Sequence, residues 1–271
     1  MGLSGLARLR AWLAARLSRQ RPIDDALWNS TLGQHPFLAA LNPAEQASLR
    51  SLCAGFLARK EFSGAHGFEI TDAVALAVAA QACLPILRLP GRLRWYDDFV
   101  GIVVHPDEML ADREILDEAG VVHRYRERIA GEAMDKGPVT LNWKDIERAL
   151  PEDGVFNLVI HEFAHKIDMR DGQADGCPPL PAGFLGSTSN EAARDRWFAT
   201  FTPTYEEFRR RAIMAERFSG EPTWLDPYAA QSPGEFFAVG CEAYFVSPER
   251  FRSEHPLLAR LFDAFFKPFA A

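Results

Sequence analysis

Two histidines four positions apart flank a glutamate in the segment VIHEFAH, residues 159–165. If this segment is helical, His161 and His165 lie on one face, so both imidazoles can converge on one metal ion. Glu162 lies one residue further round the helix, where its carboxylate can reach a water on the metal without becoming a ligand. A pair of surface histidines is the alternative, but the apolar neighbours FNLVI disfavour it, because they would place unpaired imidazoles near a core. The spacing therefore indicates a zinc site typical of metal-dependent hydrolases.

A third zinc ligand is required, because two histidines leave a tetrahedral ion short of a protein donor. The segment YAAQSPGEFFAVGCEAYF, residues 228–245, places Glu235 and Glu242 seven positions apart on nearly one face of a predicted helix. Acidic side chains among so many apolar neighbours need a partner, and a metal ion is a strong one. Each glutamate could instead cap a helix or pair with an arginine. This alternative weighs more for Glu242 than for Glu235.

The segments VIHEFAHKIDMRDGQADGCPPLP and LDPYAAQSPGEFFAVGCEAYF resemble the bacterial Mlc titration factor A family, zinc metallopeptidases related to the catalytic domain of anthrax lethal factor. The similarity extends to WYDDFVGIVVHP and GPVTLNW and covers most of residues 30–268. It implies a zincin-like fold, one zinc ion per chain and aminopeptidase-type activity on a peptide substrate. It also implies the site residues, which are the zinc ligands His161, His165 and Glu235, the catalytic base Glu162, and Tyr228, which assists the transition state from seven positions before the third ligand.

The resemblance also implies a protein partner, because the family is named for sequestering Mlc, a repressor of glucose-uptake genes. This chain could bind a similar sugar-responsive transcriptional repressor. A regulatory repressor-binding protein with a residual or structural zinc site is the alternative function, and a zinc hydrolase that does not act on peptides is another. The intact Glu162 argues against the regulatory alternative, since a structural site has no use for a base.

One position departs from the pattern of lethal factor, which has an acid four residues after its third ligand, where this chain has Val239. Glu242 or Asp168 could take the role of that acid. Asp168 follows the second histidine by three positions, so it could accept the other N–H of a ligand histidine and fix its tautomer. A surface acid at a helix end is an equally good interpretation of Asp168. A thiol ligand from Cys177 or Cys241 also stays open.

Three helices are predicted around these motifs. Asn42 is a good N-cap for a helix that begins at Pro43, and a second helix should follow Thr71 or Asp72 through about Ala82. The third, from Pro151 to Met169 with Asp153 as its cap, carries the histidines. A loop rich in Gly, Pro and Ser should follow it.

Two strands are predicted upstream of the histidines. Residues 100–104 read as a buried strand, and residues 137–143 alternate like a half-exposed one. We expect the second strand to be the sheet edge beside the zinc helix, where an extended peptide can pair with its main chain. The expected fold is α+β and zincin-like, mostly helical with a small mixed sheet.

Composition and charge exclude several classes of protein. The 271 residues are 48% hydrophobic and 25% charged, and no apolar run is long enough to span a membrane. The first 21 residues contain five arginines and no acid, so the formal net charge of −7 leaves −12 on residues 22–271, which disfavours direct binding of nucleic acid. The four cysteines are scattered, as is typical of reduced thiols in a cytosol, so a cytoplasmic location is expected.

We predict an arm over residues 1–29 and a catalytic domain over residues 30–271. The arm reads as an amphipathic helix, and its arginines interrupt the apolar core that a secretory signal would need. Its apolar stripe consists of Leu3, Leu6, Leu9, Leu13 and Leu17. The helix could pack on the body of the protein, or it could touch a membrane surface or a partner such as the repressor.

Overall fold

The computed structural model describes residues 21–107, 109–116, 122–129, 131–133, 137–147 and 155–268. The helices are α1 Asp25–Gln34, α2 Pro36–Ala39, α3 Pro43–Leu57, α4 Asp72–Cys83, α5 Trp143–Glu147, α6 Leu158–Asp168, α7 Asn190–Phe218, α8 Pro233–Val246, α9 Pro248–Glu254 and α10 Pro256–Phe266. The strands are β1 Glu61–Gly64, β2 Gly101–His105, β3 Met109–Leu116, β4 Val122–Ile129, β5 Gly131–Ala133 and β6 Val139–Asn142. The fold is α+β and mostly helical, as predicted.

The main sheet is small and mixed, with the strand order β1-β2-β6-β5. Strands β1, β2 and β6 are parallel, whereas β5 runs antiparallel to β6. Ile102 of β2 pairs with Val139 of β6, and Val104 pairs with Leu141, all four being fully buried. Alternate residues of each strand therefore supply the core face. Strands β3 and β4 form a separate antiparallel pair.

The structure corrects two predictions about the strands. Residues 137–143 contain β6, but β6 lies between β2 and β5, so the predicted sheet edge is wrong and β5 takes that position. Alternation along a strand reports which face is buried and carries no information about its neighbours. Val100 was expected to be buried in a strand, but it is exposed and precedes β2 by one residue.

Two of the predicted helices are confirmed, with their caps. The Asn42 side chain accepts a hydrogen bond from the backbone N–H of Glu45 at 3.0 Å, and the Glu45 carboxylate accepts one in return, which begins α3. The Thr71 hydroxyl accepts from Val74 N at 3.2 Å and begins α4, which continues through Cys83. Most of α4 is buried, so the sequence of this helix is apolar all round.

The histidine helix α6 begins later than predicted. Its N-cap is Asn157, whose side chain accepts a hydrogen bond from Ile160 N at 2.9 Å, and residues 155–157 are not helical. The predicted start at Pro151 is therefore wrong, and the predicted cap Asp153 lies outside the described residues. Asn157 has an extended backbone and caps the N-terminus, so the helix begins here even though the apolar pattern continues upstream.

Helix α6 lies against the sheet on one side and against α8 on the other. Its Phe163 is fully buried, and its ring packs against Phe56, Tyr96 and Phe99 at centroid distances of 5.7, 5.0 and 5.9 Å. This aromatic contact fixes α6 on the side of the helix opposite to its histidines. The site therefore sits on a helix whose other face is part of the core.

The predicted amphipathic helix of residues 1–21 lies outside the described residues, apart from Arg21. The division of the chain at residue 29 stays a prediction, and α1 runs through that position. None of the described helices is both long and apolar enough to cross a bilayer.

Candidate metal centre and its supporting hydrogen bonds

Three side chains on α6 and α8 converge on one point. His161 Nε2 lies 3.1 Å from Glu235 Oε2 and 3.2 Å from His165 Nε2, while His165 Nε2 lies 3.3 Å from the same Glu235 oxygen. The two histidines come from successive turns of α6 and the glutamate from the first turn of α8. The structure thus brings together the three residues predicted as ligands, and their donor atoms could hold one metal ion.

The spacing of these donor atoms fits zinc. Ligands about 2.0–2.1 Å from a tetrahedral ion lie about 3.3 Å from one another, which matches all three separations. Two imidazoles and one carboxylate are also a donor set that zinc takes in hydrolytic enzymes.

Glu235 is placed by the start of α8. The Ser232 hydroxyl accepts a hydrogen bond from Glu235 N at 3.2 Å, and Pro233 occupies the first turn. Burial raises the pKa of the Glu235 carboxyl, but hydrogen bonds with His161 and His165 outweigh burial and lower its pKa to about 2. The carboxylate is therefore ionised at neutral pH and is available to a cation.

A second carboxylate holds the other side of His161. Its Nδ1 lies 2.8 Å from Glu242 Oε1, and the remaining Glu242 oxygen accepts a hydrogen bond from Asn157 N. Burial lowers the pKa of His161, but hydrogen bonds with Glu235 and Glu242 reverse the effect and raise its pKa well above the ordinary value. Two carboxylates therefore stabilise positive charge at this imidazole. Glu242, one of the two acids considered for orienting a ligand histidine, is in that position.

The support of Glu242 extends to α4 through Asn157. The side-chain nitrogen Nδ2 of Asn157 donates to Gln81 Oε1 at 2.7 Å, and Gln81 Nε2 donates to Ala77 O at 3.0 Å. A buried hydrogen-bond chain thus runs from α4 through the N-cap of α6 to Glu242 and His161. Neither Asn157 nor Gln81 was predicted from the sequence as part of the site. Two signals could have found them: an asparagine four positions before the first histidine, and a lone glutamine in the apolar run AVALAVAAQAC.

Asp168 does not contact the metal centre. It is fully buried, and its Oδ2 accepts a hydrogen bond from Gly176 N at 2.9 Å. Burial raises the pKa of this carboxyl to about 8. The carbonyl oxygen of Gly176 accepts in turn from Trp197 Nε1 at 2.9 Å, so Asp168 links the end of α6 to α7. Both predicted roles, the acceptor of a ligand histidine and the surface acid, are therefore wrong for this residue.

The two residues predicted to act in catalysis both adjoin the histidines. Glu162 follows His161 on α6 and is only 4% exposed. Tyr228 lies in the short 3-10 turn Pro227–Ala230, with its ring centroid 6.2 Å from that of His161 and 42% of its surface exposed. The turn is capped by Asp226, whose carboxylate accepts from Tyr228 N at 2.9 Å. Tyr228 therefore borders the centre on the side open to solvent.

No cysteine joins the group of donor atoms among the described residues. All four cysteines are buried, and none is paired in a disulfide. Burial raises the pKa of the Cys177 thiol to about 12, which disfavours the thiolate that a metal requires. The alternative of a thiol ligand from Cys177 or Cys241 finds no support here.

Comparison with known proteins yields one family and a set of relatives with one name. The family described as "Glucose-regulated metallo-peptidase M90" matches residues 9–267. Mlc titration factor A of Salmonella schwarzengrund (strain CVM19633) is 33% identical over 257 residues, which cover 94% of this chain and 90% of the relative. Mlc titration factor A of Klebsiella pneumoniae (strain 342) is 34% identical over 233 residues, which cover 86% and 82%. The match includes the whole of the candidate centre.

Proposed function

The chain belongs to the family of glucose-regulated metallo-peptidases M90, and we propose that it is a zinc-dependent peptidase of the bacterial cytosol with aminopeptidase-type activity and a zincin-like fold. The observation that carries the proposal is the triangle of donor atoms formed by His161, His165 and Glu235 beside the buried Glu162. One zinc ion per chain fits this donor set. A base next to three ligands is an arrangement for hydrolysis rather than for a structural metal.

The residues divide the reaction between them. His161, His165 and Glu235 would hold the zinc ion, which when bound would supply an acidified water and polarise the scissile carbonyl. Glu162 accepts a proton from the attacking water on its carboxylate and delivers it to the leaving amine. The Tyr228 hydroxyl donates a hydrogen bond to the carbonyl oxygen as negative charge develops there. Glu242 keeps the imidazole of His161 oriented through its Nδ1.

The substrate is proposed to bind along β5. This strand ends the main sheet, runs antiparallel to β6 and lies against α6. A sheet edge can pair with an extended peptide through main-chain hydrogen bonds, whatever the side chains of the peptide. β5 therefore replaces the predicted residues 137–143 as the strand that positions the scissile bond next to the histidine helix.

The test separates chemistry from metal binding. Glu162→Gln should retain about one zinc per chain and the wild-type melting temperature, yet lose peptide hydrolysis by at least the 10²–10⁴-fold that a general base contributes. Tyr228→Phe should lower kcat more than it raises KM, because its hydroxyl is assigned to the transition state. Zinc content is measured on the purified proteins and turnover on a peptide library. Undiminished cleavage by Glu162→Gln would remove this residue from the mechanism.

A second proposed function is capture of an Mlc-like transcriptional repressor. Its support is the shared name of relatives that are 33–34% identical over most of this chain. The net charge of −12 on residues 22–271 favours an effect on transcription through protein contact rather than through DNA. Purified repressor should therefore bind Glu162→Gln as well as wild type. Binding of the repressor together with hydrolytic inactivity of the wild type would instead favour a regulatory protein with a residual zinc site.

A further inference from the structure

A large cleft lies at the N-terminal end of α6, where Asn157, Leu158 and Val159 line it. Its volume is about 1060 Å³, at the upper end of the range for ligand pockets, and the ends of α1, α4, α5 and α6 border it. The rings of Phe68 and Trp143 form one wall, with their centroids 5.9 Å apart. The apolar lining includes Phe37, Phe68, Val74, Ala77, Trp143 and Phe156. A cleft of this volume with aromatic walls has room for another chain segment.

The charged groups of the cleft are acidic. Glu69, Asp145 and Glu147 line it, and no lysine or arginine is found among its described lining residues. His35 also lines it, and burial lowers the pKa of this imidazole, so it is neutral at pH 7. The cleft therefore combines an apolar floor with a negative rim. Its occupant should combine an apolar stripe with positive charge.

We propose that this cleft binds the N-terminal arm of the same chain, residues 1–20. The arm has the required chemistry, since its leucines recur on one helical face and the segment carries arginines but no acid. The leucines are Leu3, Leu6, Leu9, Leu13 and Leu17, and the arginines are Arg8, Arg10, Arg16 and Arg19. Amphipathic helices bind apolar grooves through side chains at this spacing.

The arm also begins within reach of the cleft. Residue 21 precedes α1 by four positions, and Gln34 at the other end of α1 lines the cleft. A helix of ten residues is about 15 Å long, whereas twenty residues in a helix span about 30 Å. A helix formed by the arm is therefore long enough to run back along α1 and reach the cleft.

Binding in the cleft would affect the position of His161 through shared hydrogen bonds. Gln81 and Asn157 line the cleft, and the same two residues form the hydrogen-bond chain that ends at Glu242 and His161. Binding of the arm at this surface restricts the N-cap of α6. The docking itself rests on the cleft and on the arm, so it does not depend on the proposed peptidase activity.

Photo-crosslinking of the full-length chain tests the proposal. Benzoylphenylalanine replaces Leu9 in one sample and Leu13 in a second, so that a single disruptive position cannot decide the result. Mass spectrometry should locate the crosslinks in residues 34–37, 68–77, 143–147 or 156–159. The same probe at the exposed Leu257 of α10 should give no crosslink to these segments.

Charge variants give the matched control. The double substitution Glu69→Gln and Glu147→Gln should lower the crosslinking yield several-fold, whereas Glu216→Gln with Glu221→Gln, two exposed acids outside the cleft, should leave it unchanged. A mixture of isotopically heavy and light chains distinguishes the arm of the same chain from that of a second copy. Crosslinks between copies or crosslinks to other surfaces would each overturn the proposal. An unchanged crosslinking yield in the Glu69→Gln and Glu147→Gln variant would also overturn it.

Discussion

Two turns of α8 put the same residue type to different uses. Glu235 lies in the first turn, 20% of its side chain is exposed, and it faces the Nε2 atoms of both histidines. Glu242 lies seven residues further on, only 2% of its side chain is exposed, and it faces Nδ1 of His161. One imidazole is thus held between two carboxylates from one helix. The more exposed first turn of the helix supplies the candidate ligand, and the buried turn with Glu242 supplies the group that orients the candidate ligand His161.

The pKa values follow the same division. Burial opposes ionisation of both carboxyls, but two histidines contact Glu235 and lower its pKa to about 2. At Glu242, burial outweighs the hydrogen bond with His161, and the pKa of this carboxyl is raised. The less buried Glu235, with two histidine partners, is therefore the carboxylate suited to bind a cation. The more buried Glu242 is suited to accept a hydrogen bond from His161.

Substitution of Glu235 should have the largest effect. Glu235→Ala removes a direct ligand, so its zinc affinity should fall by more than the roughly 10–100-fold that loss of an outer hydrogen-bond partner costs. Competition with a fluorescent chelator measures the affinity, and Glu249→Ala, at an exposed acid of α9, serves as the control. Full zinc retention in Glu235→Ala together with loss in Glu242→Ala would exchange the two roles.

Glu242→Gln should have a smaller effect on the same measurement. The amide oxygen can still accept from His161, but the amide nitrogen cannot accept the hydrogen bond that Asn157 N now donates. We expect zinc affinity to fall by about 10-fold, the low end for such partners. Glu242→Ala, which loses both bonds, should fall further. Equal affinity in all three proteins would show that orientation of His161 does not depend on this carboxylate.

Substitution of two capping asparagines tests whether the hydrogen-bond chain behind Glu242 supports the metal centre. Asn42→Ala removes the cap of α3 and should cost about 1 kcal/mol of the free energy of unfolding. Asn157→Ala should cost about 2–3 kcal/mol, because it also leaves the buried Gln81 oxygen without its donor. Urea unfolding measures both. Zinc affinity should fall several-fold in Asn157→Ala alone, and an equal fall in both variants would detach Asn157 from the metal centre.

Asp168 shows what burial does without a histidine, and its effect should appear as a dependence of stability on pH. Burial raises the pKa of its carboxyl to about 8, whereas an unfolded aspartate titrates near about 3.9. Between these values the folded protein holds a proton that the unfolded chain has released, so the free energy of unfolding falls as pH rises from about 4 to about 8. Asp168→Asn holds no such proton and should lose less stability over that range.

Unfolding of wild type and Asp168→Asn at pH 5 and pH 8 measures this difference. Asp195→Asn, at an exposed acid of α7, is the control and should keep the wild-type dependence. The stability of Asp168→Asn relative to wild type should rise with pH. If the two proteins change in parallel, the Asp168 carboxyl is ionised in the folded state throughout.

The metal centre could be predicted where the signal is local. His161 and His165 share a face because of their spacing along one helix, and Glu235 stands out as an acid among aromatic residues. The caps Asn42 and Thr71 are equally local signals. Each of these depends on residues within a few positions of one another, and the structure agrees with all of them.

The support of the centre could not be predicted, because its partners are distant in sequence. Asn157 contacts Gln81 across 76 positions and Glu242 across 85. The edge strand β5 has only three residues, too few for a recognisable alternation. Asp168 has the spacing of a ligand-orienting acid, but its side chain bonds to the backbone of Gly176 instead. Spacing fixes which face a residue occupies, whereas the partner on that face depends on packing.

Gly176 sets a limit on how this sequence can vary. Its φ is +76°, and a Cβ atom there would lie 2.6 Å from both Phe201 Cζ and the carbonyl oxygen of Pro233. Its backbone N–H donates a hydrogen bond to the Asp168 carboxylate, and its carbonyl oxygen accepts one from Trp197 Nε1. Gly172 has a φ of +89°, but a Cβ atom there would meet nothing within 4 Å, so asparagine is tolerable at that position. In family members that share this arrangement, we therefore expect substitutions at the position of Gly172 but only glycine at the position of Gly176.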